Sequence, residues 1–214
     1  MSTLGKMQKV QLKELPLKEF SKLNQPFEMF KEWYEQNTQM HPKEPTAVSL
    51  STVDAGGWPQ ARTVLLKSFD SSGFVFFTNY QSAKGKQLLA AKKAQLLFFW
   101  DQLARQVRVW GAVEKTTEEE SDEYFETRPY LSQIGAWASN QSEEIVNREW
   151  LEKRVEEFKT KYPPGKVPRP AHWGGFRVVP SKFEFWAGRE NRLHDRFLME
   201  KSGNGTWTPK RLSP

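Results

Sequence analysis

AVSLSTVD (47–54), ARTVLLKSFD (61–70) and GFVFFTNY (73–80) are three runs rich in β-branched and aromatic residues, separated by the turn-forming strings AGGWPQ and DSSG. This spacing predicts two consecutive β-hairpins. Working outward, SAKGKQLLAAKK (82–93) has helical character, and AQLLFFWD and RQVRVWGAVEK return to the strand pattern. TTEEESDEYFETR offers a Thr cap, acidic residues in its first turn and a positive end, the charge order that a helix dipole prefers. REWLEKRVEEFKTKY places Leu151, Val155, Phe158 and Tyr162 on one stripe and stops before Pro163. Upstream, Asn24 and Pro26 mark the start of a short helix that puts Phe27, Phe30 and Tyr34 on one face. GGFRVVP, FEFWAG, RLHDRFLME and TWTPKRLSP complete the chain as strands, with KSGNG as a turn. Hairpin-connected strands with inserted helices favour an antiparallel barrel or sheet over βαβ units. The fold expected is mainly β with inserted helices.

No repeat, low-complexity tract or Gly/Ser linker marks a boundary, so residues 1–25 read as a flexible N-terminal arm and 26–214 as one domain. Aromatics reach 14% of the 214 residues, with 9 Trp and 15 Phe, so both the core and any ligand site must be aromatic-rich. With 0 Cys, disulfides, thiolate metal sites and cysteine nucleophiles are excluded. The opening residues lack the apolar run of a signal peptide and no segment reaches membrane-spanning length, so the chain reads as soluble and cytoplasmic. A net charge of +6 points to anionic partners, which could be nucleic acid, a membrane surface or small phosphorylated molecules.

HExxH, GxGxxG, GxxxxGK[ST] and GxSxG are all missing, and His41, His172 and His194 are too scattered for a metal site. What remains is cations among apolar residues. Arg62 and Lys67 point to opposite faces of an unbroken strand, and are either solvated charges or ligand donors. Lys84 and Lys86 open a helix, where they either hold a phosphate or lie exposed. Tyr124 and Arg128 are four apart on a predicted helix, with Ser132 just past Pro129; the three could grip a phosphate ester, or Arg128 could merely neutralise a helix end. If RLHDRF is a strand, Arg192, His194 and Arg196 share one face, which is either an anion site or a charged edge.

Taken together, RTVLLK, FFTN, SAKGKQ, RQVRVWG, YFETRP, SQIGAWAS, QS, WGGFRV, FEFW, RLHDR and RLSP resemble the pyridoxamine 5'-phosphate oxidase family from about Pro26 to Pro214. The resemblance implies an FMN-binding split β-barrel and a homodimer with FMN at the subunit interface. It implies FMN contacts at Arg62, Thr63, Val64, Leu65, Leu66, Lys67, Phe77, Thr78, Lys84, Gln106, Gln141, Ser142, Trp186 and Arg196. Substrate contacts fall on Lys67, Tyr124, Arg128, Ser132, Arg192 and His194, of which Arg192 and His194 are the expected catalytic pair. The implied reaction oxidises pyridoxamine or pyridoxine 5'-phosphate to pyridoxal 5'-phosphate, with O2 reduced to hydrogen peroxide, in vitamin B6 metabolism and salvage. It involves no metal, nucleic acid or membrane. Two rivals are a flavin- or pyridoxal-phosphate-holding protein with little chemistry and a basic nucleic-acid binder. Ala83 stands where relatives often carry Arg, so one phosphate donor is missing and lower FMN affinity is expected. Ala187 removes an amide that relatives often carry after FW, and no Arg-x-x-Tyr lid is recognisable in the N-terminal arm.

Overall fold

The computed structural model describes residues 22–214, so most of the expected N-terminal arm lies outside the described residues. Helix α1 (Pro26–Gln39) begins with proline in its first turn, where the missing N–H costs nothing. Strands β1 (Ala47–Val53) and β2 (Pro59–Leu65) form the first hairpin, in register from Ala47 opposite Leu65 to Val53 opposite Pro59. Asp54 closes its turn by accepting from the N–H groups of Gly56 and Trp58 at 2.9 and 3.0 Å, while Gly57 takes a φ of +81°. Strands β3 (Ser68–Asp70) and β4 (Gly73–Asn79) form the second hairpin. ARTVLLKSFD is therefore two strands rather than one: Leu66 donates to Thr46 and Lys67 to Val75, both at 2.8 Å, so the chain changes neighbours between them.

Next come α2 (Ala83–Ala91), capped by the Ser82 hydroxyl, then β5 (Lys93–Trp100) and β6 (Arg105–Lys115). Helix α3 (Glu118–Glu126) opens with a reciprocal capping box between Thr117 and Glu120. It is followed by α4 (Tyr130–Ala138) and by α5 (Arg148–Lys161), capped by Asn147. Strands β7 (Trp173–Ala187), β8 (Asp195–Lys201) and β9 (Trp207–Leu212) complete the chain. The sheet runs β2-β1-β5-β6-β7-β4-β3, with β8 paired to β7 and β9 to β8. The expectation of a mainly β chain with inserted helices is borne out.

Two compact units divide the chain, and β5, β6 and β7 each contribute residues to both. The first unit takes the residues up to Pro45, Leu97–Val109 and Lys182–Pro214. Its core is aromatic: Phe30 meets Phe98 edge-on at 4.8 Å, Trp33 meets Phe185 at 5.3 Å, and Phe183 stacks on Phe185. The second unit takes Thr46–Leu96 and Trp110–Ser181, and is cored by Phe74, Phe76, Phe176 and Val178, all nearly inaccessible to solvent.

Candidate active site

A cavity of about 640 Å³ lies in the second unit, bounded by β2, β4, the start of β7, α2, α3 and α4. The hairpin register brings Thr63, Val64 and Leu65 to its wall, the link to β3 adds Lys67, and β4 supplies Phe77 and Thr78. Lys84 enters from the first turn of α2, Tyr124 from α3, Ser132 from α4, and Arg128 and Gln141 from the segments beside those helices. Residues as far apart in sequence as Thr63 and Trp173 thus meet around one space.

Positive charge dominates this wall. The Lys84 ammonium donates to Gln141 Oε1 at 2.7 Å and to Thr78 Oγ1 at 3.1 Å, and burial, then the neighbouring Arg62 charge, lowers its pKa. Arg62 itself is turned toward Thr52 Oγ1 at 2.5 Å and Gln87 Oε1 at 3.0 Å, and burial lowers its pKa as well. Arg128 Nη1 is buried without a hydrogen-bond partner. Burial lowers the Arg128 pKa, with an opposing pull from the Tyr124 phenol. Among the described residues none of these three cations has an acidic partner. Lys67 places its ammonium 6.0 Å from the centre of the Tyr124 ring.

Helix α3 ends at Glu126, so Arg128 lies beyond its cap at Thr127 rather than on the helical face expected from the four-residue spacing. The bend delivers Arg128 to the cavity all the same, with its N–H on Phe125 O at 3.2 Å and its guanidinium 4.5 Å above the Trp173 ring. Leu66 is buried, and Ser142, with a φ of +75°, lies next to Gln141; neither they nor Arg62 line the cavity. Sequence reasoning assigned no role to Trp173, Asn79, Ser139 or the α4 backbone at Gly135 and Ala136, which do. WGGFRV held the signal for Trp173, since two glycines after a tryptophan announce a close backbone approach. A Cβ on Gly174 would fall on the Tyr80 hydroxyl, and one on Gly175 on Thr116.

Gln106, Trp186, Arg192, His194 and Arg196 belong to the first unit. Trp186 and Arg196 are cross-strand partners on β7 and β8, and the Trp186 and His194 rings lie 4.7 Å apart. Arg196 donates through Nε and Nη2 to Glu184 Oε1 at 3.0 and 2.9 Å, and Arg108 donates to Oε2 of the same buried carboxylate at 3.0 Å. RLHDRF is not one strand. Glu190–Arg192 is a 3-10 turn with Asn191 and Arg192 at φ +55° and +61°, and β8 starts only at Asp195. The left-handed pair breaks the period of two, so Arg192, His194 and Arg196 do not share a strand face. His194 is instead fixed by the Arg189 backbone, whose N–H donates to Nδ1 at 3.0 Å. No cluster of metal-ligating residues occurs among the described residues, and no helix there is long and apolar enough to cross a membrane.

Comparison with known proteins agrees with this layout. A profile described as pyridoxamine 5'-phosphate oxidase matches residues 34–162, and one described as pyridoxine 5'-phosphate oxidase C-terminal dimerisation region matches residues 173–214. A pyridoxine/pyridoxamine 5'-phosphate oxidase from Nostoc punctiforme is 54% identical over 189 residues, covering 88% of each chain. One so named from Chelativorans is 49% identical over 201 residues, covering 94% of this chain and 96% of its own. The crystal structure of PhzG from Burkholderia lata, in complex with tetrahydrophenazine-1-carboxylic acid, superposes with a TM-score of 0.86 at 30% identity, covering 94% of this chain and 98% of that one. A pyridoxamine 5'-phosphate oxidase-related, FMN-binding protein from Nostoc punctiforme shares the fold at a TM-score of 0.70 and 16% identity, covering 88% of this chain and 98% of that one. With two profiles spanning most of its length and relatives near half identity along almost all of it, this chain belongs to the pyridoxamine 5'-phosphate oxidase family.

Proposed function

We propose that the protein is an FMN-dependent oxidase that converts pyridoxamine or pyridoxine 5'-phosphate into pyridoxal 5'-phosphate, acting in vitamin B6 salvage as a homodimer. The observation that carries this reading is the buried Arg128 Nη1 without a partner, in a cavity whose desolvated cations have no acidic neighbour. A buried donor left unmade is costly, and a phosphate oxygen removes that cost. The volume of about 640 Å³ suits ligands of this size. Lys84, with the Arg62 charge beside it, and Arg128 and Lys67 on the same cavity offer cations for two phosphates, one of FMN and one of the substrate.

On this reading Lys84, Thr63, Thr78 and Gln141 would hold the FMN phosphate, with the Arg62 charge beside Lys84, and Val64 and Leu65 at the end of β2, with Leu66 after them, would contact the cofactor. Bound there, FMN would supply the hydride acceptor for oxidation of the substrate's aminomethyl or hydroxymethyl carbon, with O2 as the final oxidant and hydrogen peroxide as its product. Arg128, Tyr124, Lys67 and Ser132 bind the substrate phosphate and so fix the distance of the reacting carbon from the cofactor. Arg192 and His194 orient that carbon. Because Nδ1 of His194 accepts the Arg189 N–H, a neutral ring keeps its proton on Nε2, which is the atom available for proton exchange. Gln106, Ser142, Phe77, Trp186 and Arg196 complete the cofactor site. Matching of residues 173–214 to a dimerisation region supports completion of the site by a second copy of the chain.

The test is aldehyde formation by the purified, FMN-loaded protein, with light scattering to report its oligomeric state. Arg128→Ala should lower kcat/KM for pyridoxine 5'-phosphate by about ten- to a hundredfold and leave the poor activity on free pyridoxine nearly unchanged. An equal loss on both substrates would make Arg128 structural and remove the phosphate site. Flavin binding without turnover would favour the reading as a holding protein.

A further inference from the structure

Resting on Arg128 as a donor to the substrate phosphate, we propose that Trp173 is the positioning residue for that guanidinium, filling with an aromatic face the place that a carboxylate fills for Arg169 and Arg177 of the same unit. Arg169, whose side chain is 7% exposed, pairs with Glu118 and Asp122. Arg177, at 14%, pairs with Glu120 and lies within 4 Å of Asp70 and Glu114. Arg128 is half-buried too, yet has a ring where those two have acids.

The difference matters for an anion site. A carboxylate takes up two of the five guanidinium N–H donors and cancels the charge; a ring face attracts the same cation while leaving every donor and the full charge for the ligand. The stack is held from behind. Trp173 begins β7 opposite Asn79, its N–H donates to Pro170 O at 2.9 Å, and its carbonyl accepts from Arg169 Nη1 at 2.7 Å. Arg169 in turn is anchored on α3 by Glu118 and Asp122. The indole lies within 12° of parallel to Phe77 and within 8° of parallel to Tyr124, so it cannot tilt without disturbing both. Arg128 has no helix of its own to fix it, since α3 ended two residues earlier. The Trp173 face at 4.5 Å, nearer than the Phe125 ring at 5.4 Å, therefore sets where the guanidinium points.

Equilibrium binding of pyridoxal 5'-phosphate and of unphosphorylated pyridoxal to the FMN-loaded protein tests this. Trp173→Leu should weaken pyridoxal 5'-phosphate by about 2- to 30-fold, the range of a cation on a ring face, and change pyridoxal less than about twofold. Trp173→Phe, which keeps a face, should fall between Leu and the parent. In an Arg128→Ala background, Trp173→Leu should no longer discriminate between the two ligands. Site-specific fluorinated tryptophan at position 173 keeps the shape but drains charge from the face, and should weaken pyridoxal 5'-phosphate in step with the degree of fluorination even if Trp173→Leu does not fold. Equal weakening of both ligands, persistence of the effect without Arg128, or indifference to fluorination would overturn the proposal. If Arg128→Ala itself fails to distinguish the ligands, the phosphate site falls and this proposal with it.

Discussion

Glu184→Gln is the sharpest perturbation available in the first unit, because it changes one charge while preserving shape. The Glu184 side chain is 5% exposed and receives two hydrogen bonds from Arg196 on Oε1 and one from Arg108 on Oε2. An amide has one acceptor oxygen. If that oxygen faces the Arg196 fork, its NH2 is aimed at Arg108 Nη1, donor against donor. One charge-assisted bond is lost, about 1.5 to 3 kcal/mol. Arg108 and Arg196 are 34% and 28% exposed, so water compensates part of the lost attraction. We expect a net cost of about 2 kcal/mol and a fall in Tm of about 4 to 8 °C for a chain of this size. Urea titration at unchanged slope measures the first quantity and a thermal scan the second. In an Arg196→Ala background the amide oxygen is free to turn to Arg108, and the cost of Glu184→Gln should drop below about 1 kcal/mol. A Glu184→Gln variant within about 0.5 kcal/mol of the parent, or one equally damaging without Arg196, would refute this account of the carboxylate.

Two further outcomes follow from the cavity and its supports. In the ligand-free protein the depressed pKa of Lys84 means that the folded state releases this proton at a lower pH than the unfolded state, whose Lys84 holds it up to about 10.5; stability should therefore rise with pH through that window, and Lys84→Met should abolish that part of the slope in pH-dependent urea titrations. Gly174→Ala should destabilise by about 1 to 3 kcal/mol as its methyl meets the Tyr80 hydroxyl, whereas Gly135→Ala, with open space around it in α4, should be neutral or stabilising by up to about 1 kcal/mol; thermal denaturation of the pair decides.

Much of the fold was legible because the strands and helices carry their own punctuation. AGGWPQ and DSSG fell where β1 turns into β2 and β3 into β4, and the Thr117 cap and the acidic first turn announced α3. Helix α4 was not legible as an element: YLSQIGAWA has a glycine and no charged residue, and its boundaries depend on Pro129 and on packing against α5 rather than on a polar stripe. The break at Leu66 and Lys67 was hidden because the apolar run continues through it; only the change of partner from Thr46 to Val75 reveals it. For the site, residue types at Lys84, Tyr124, Arg128 and Ser132 pointed to phosphate, yet their convergence needed the fold. Thr52 and Gln87, which hold Arg62, sit on different elements and gave no local signal, and neither did Glu184, whose task depends on strand register. RLHDRF misled because alternation looks the same in a strand and in a turn whose backbone is left-handed at Asn191 and Arg192.

That left-handed pair bears on how the sequence is free to vary. Outside glycine, Asn is among the residues that visit such a conformation most readily, while a side chain such as Arg192 is held there at a cost of about 1 to 2 kcal/mol. Glycine at position 192 would relieve the cost and remove the guanidinium in the same step. A laboratory selection for heat resistance alone would accordingly enrich glycine there, whereas, on the role proposed above for Arg192, a selection that also demands turnover should hold arginine against that drift.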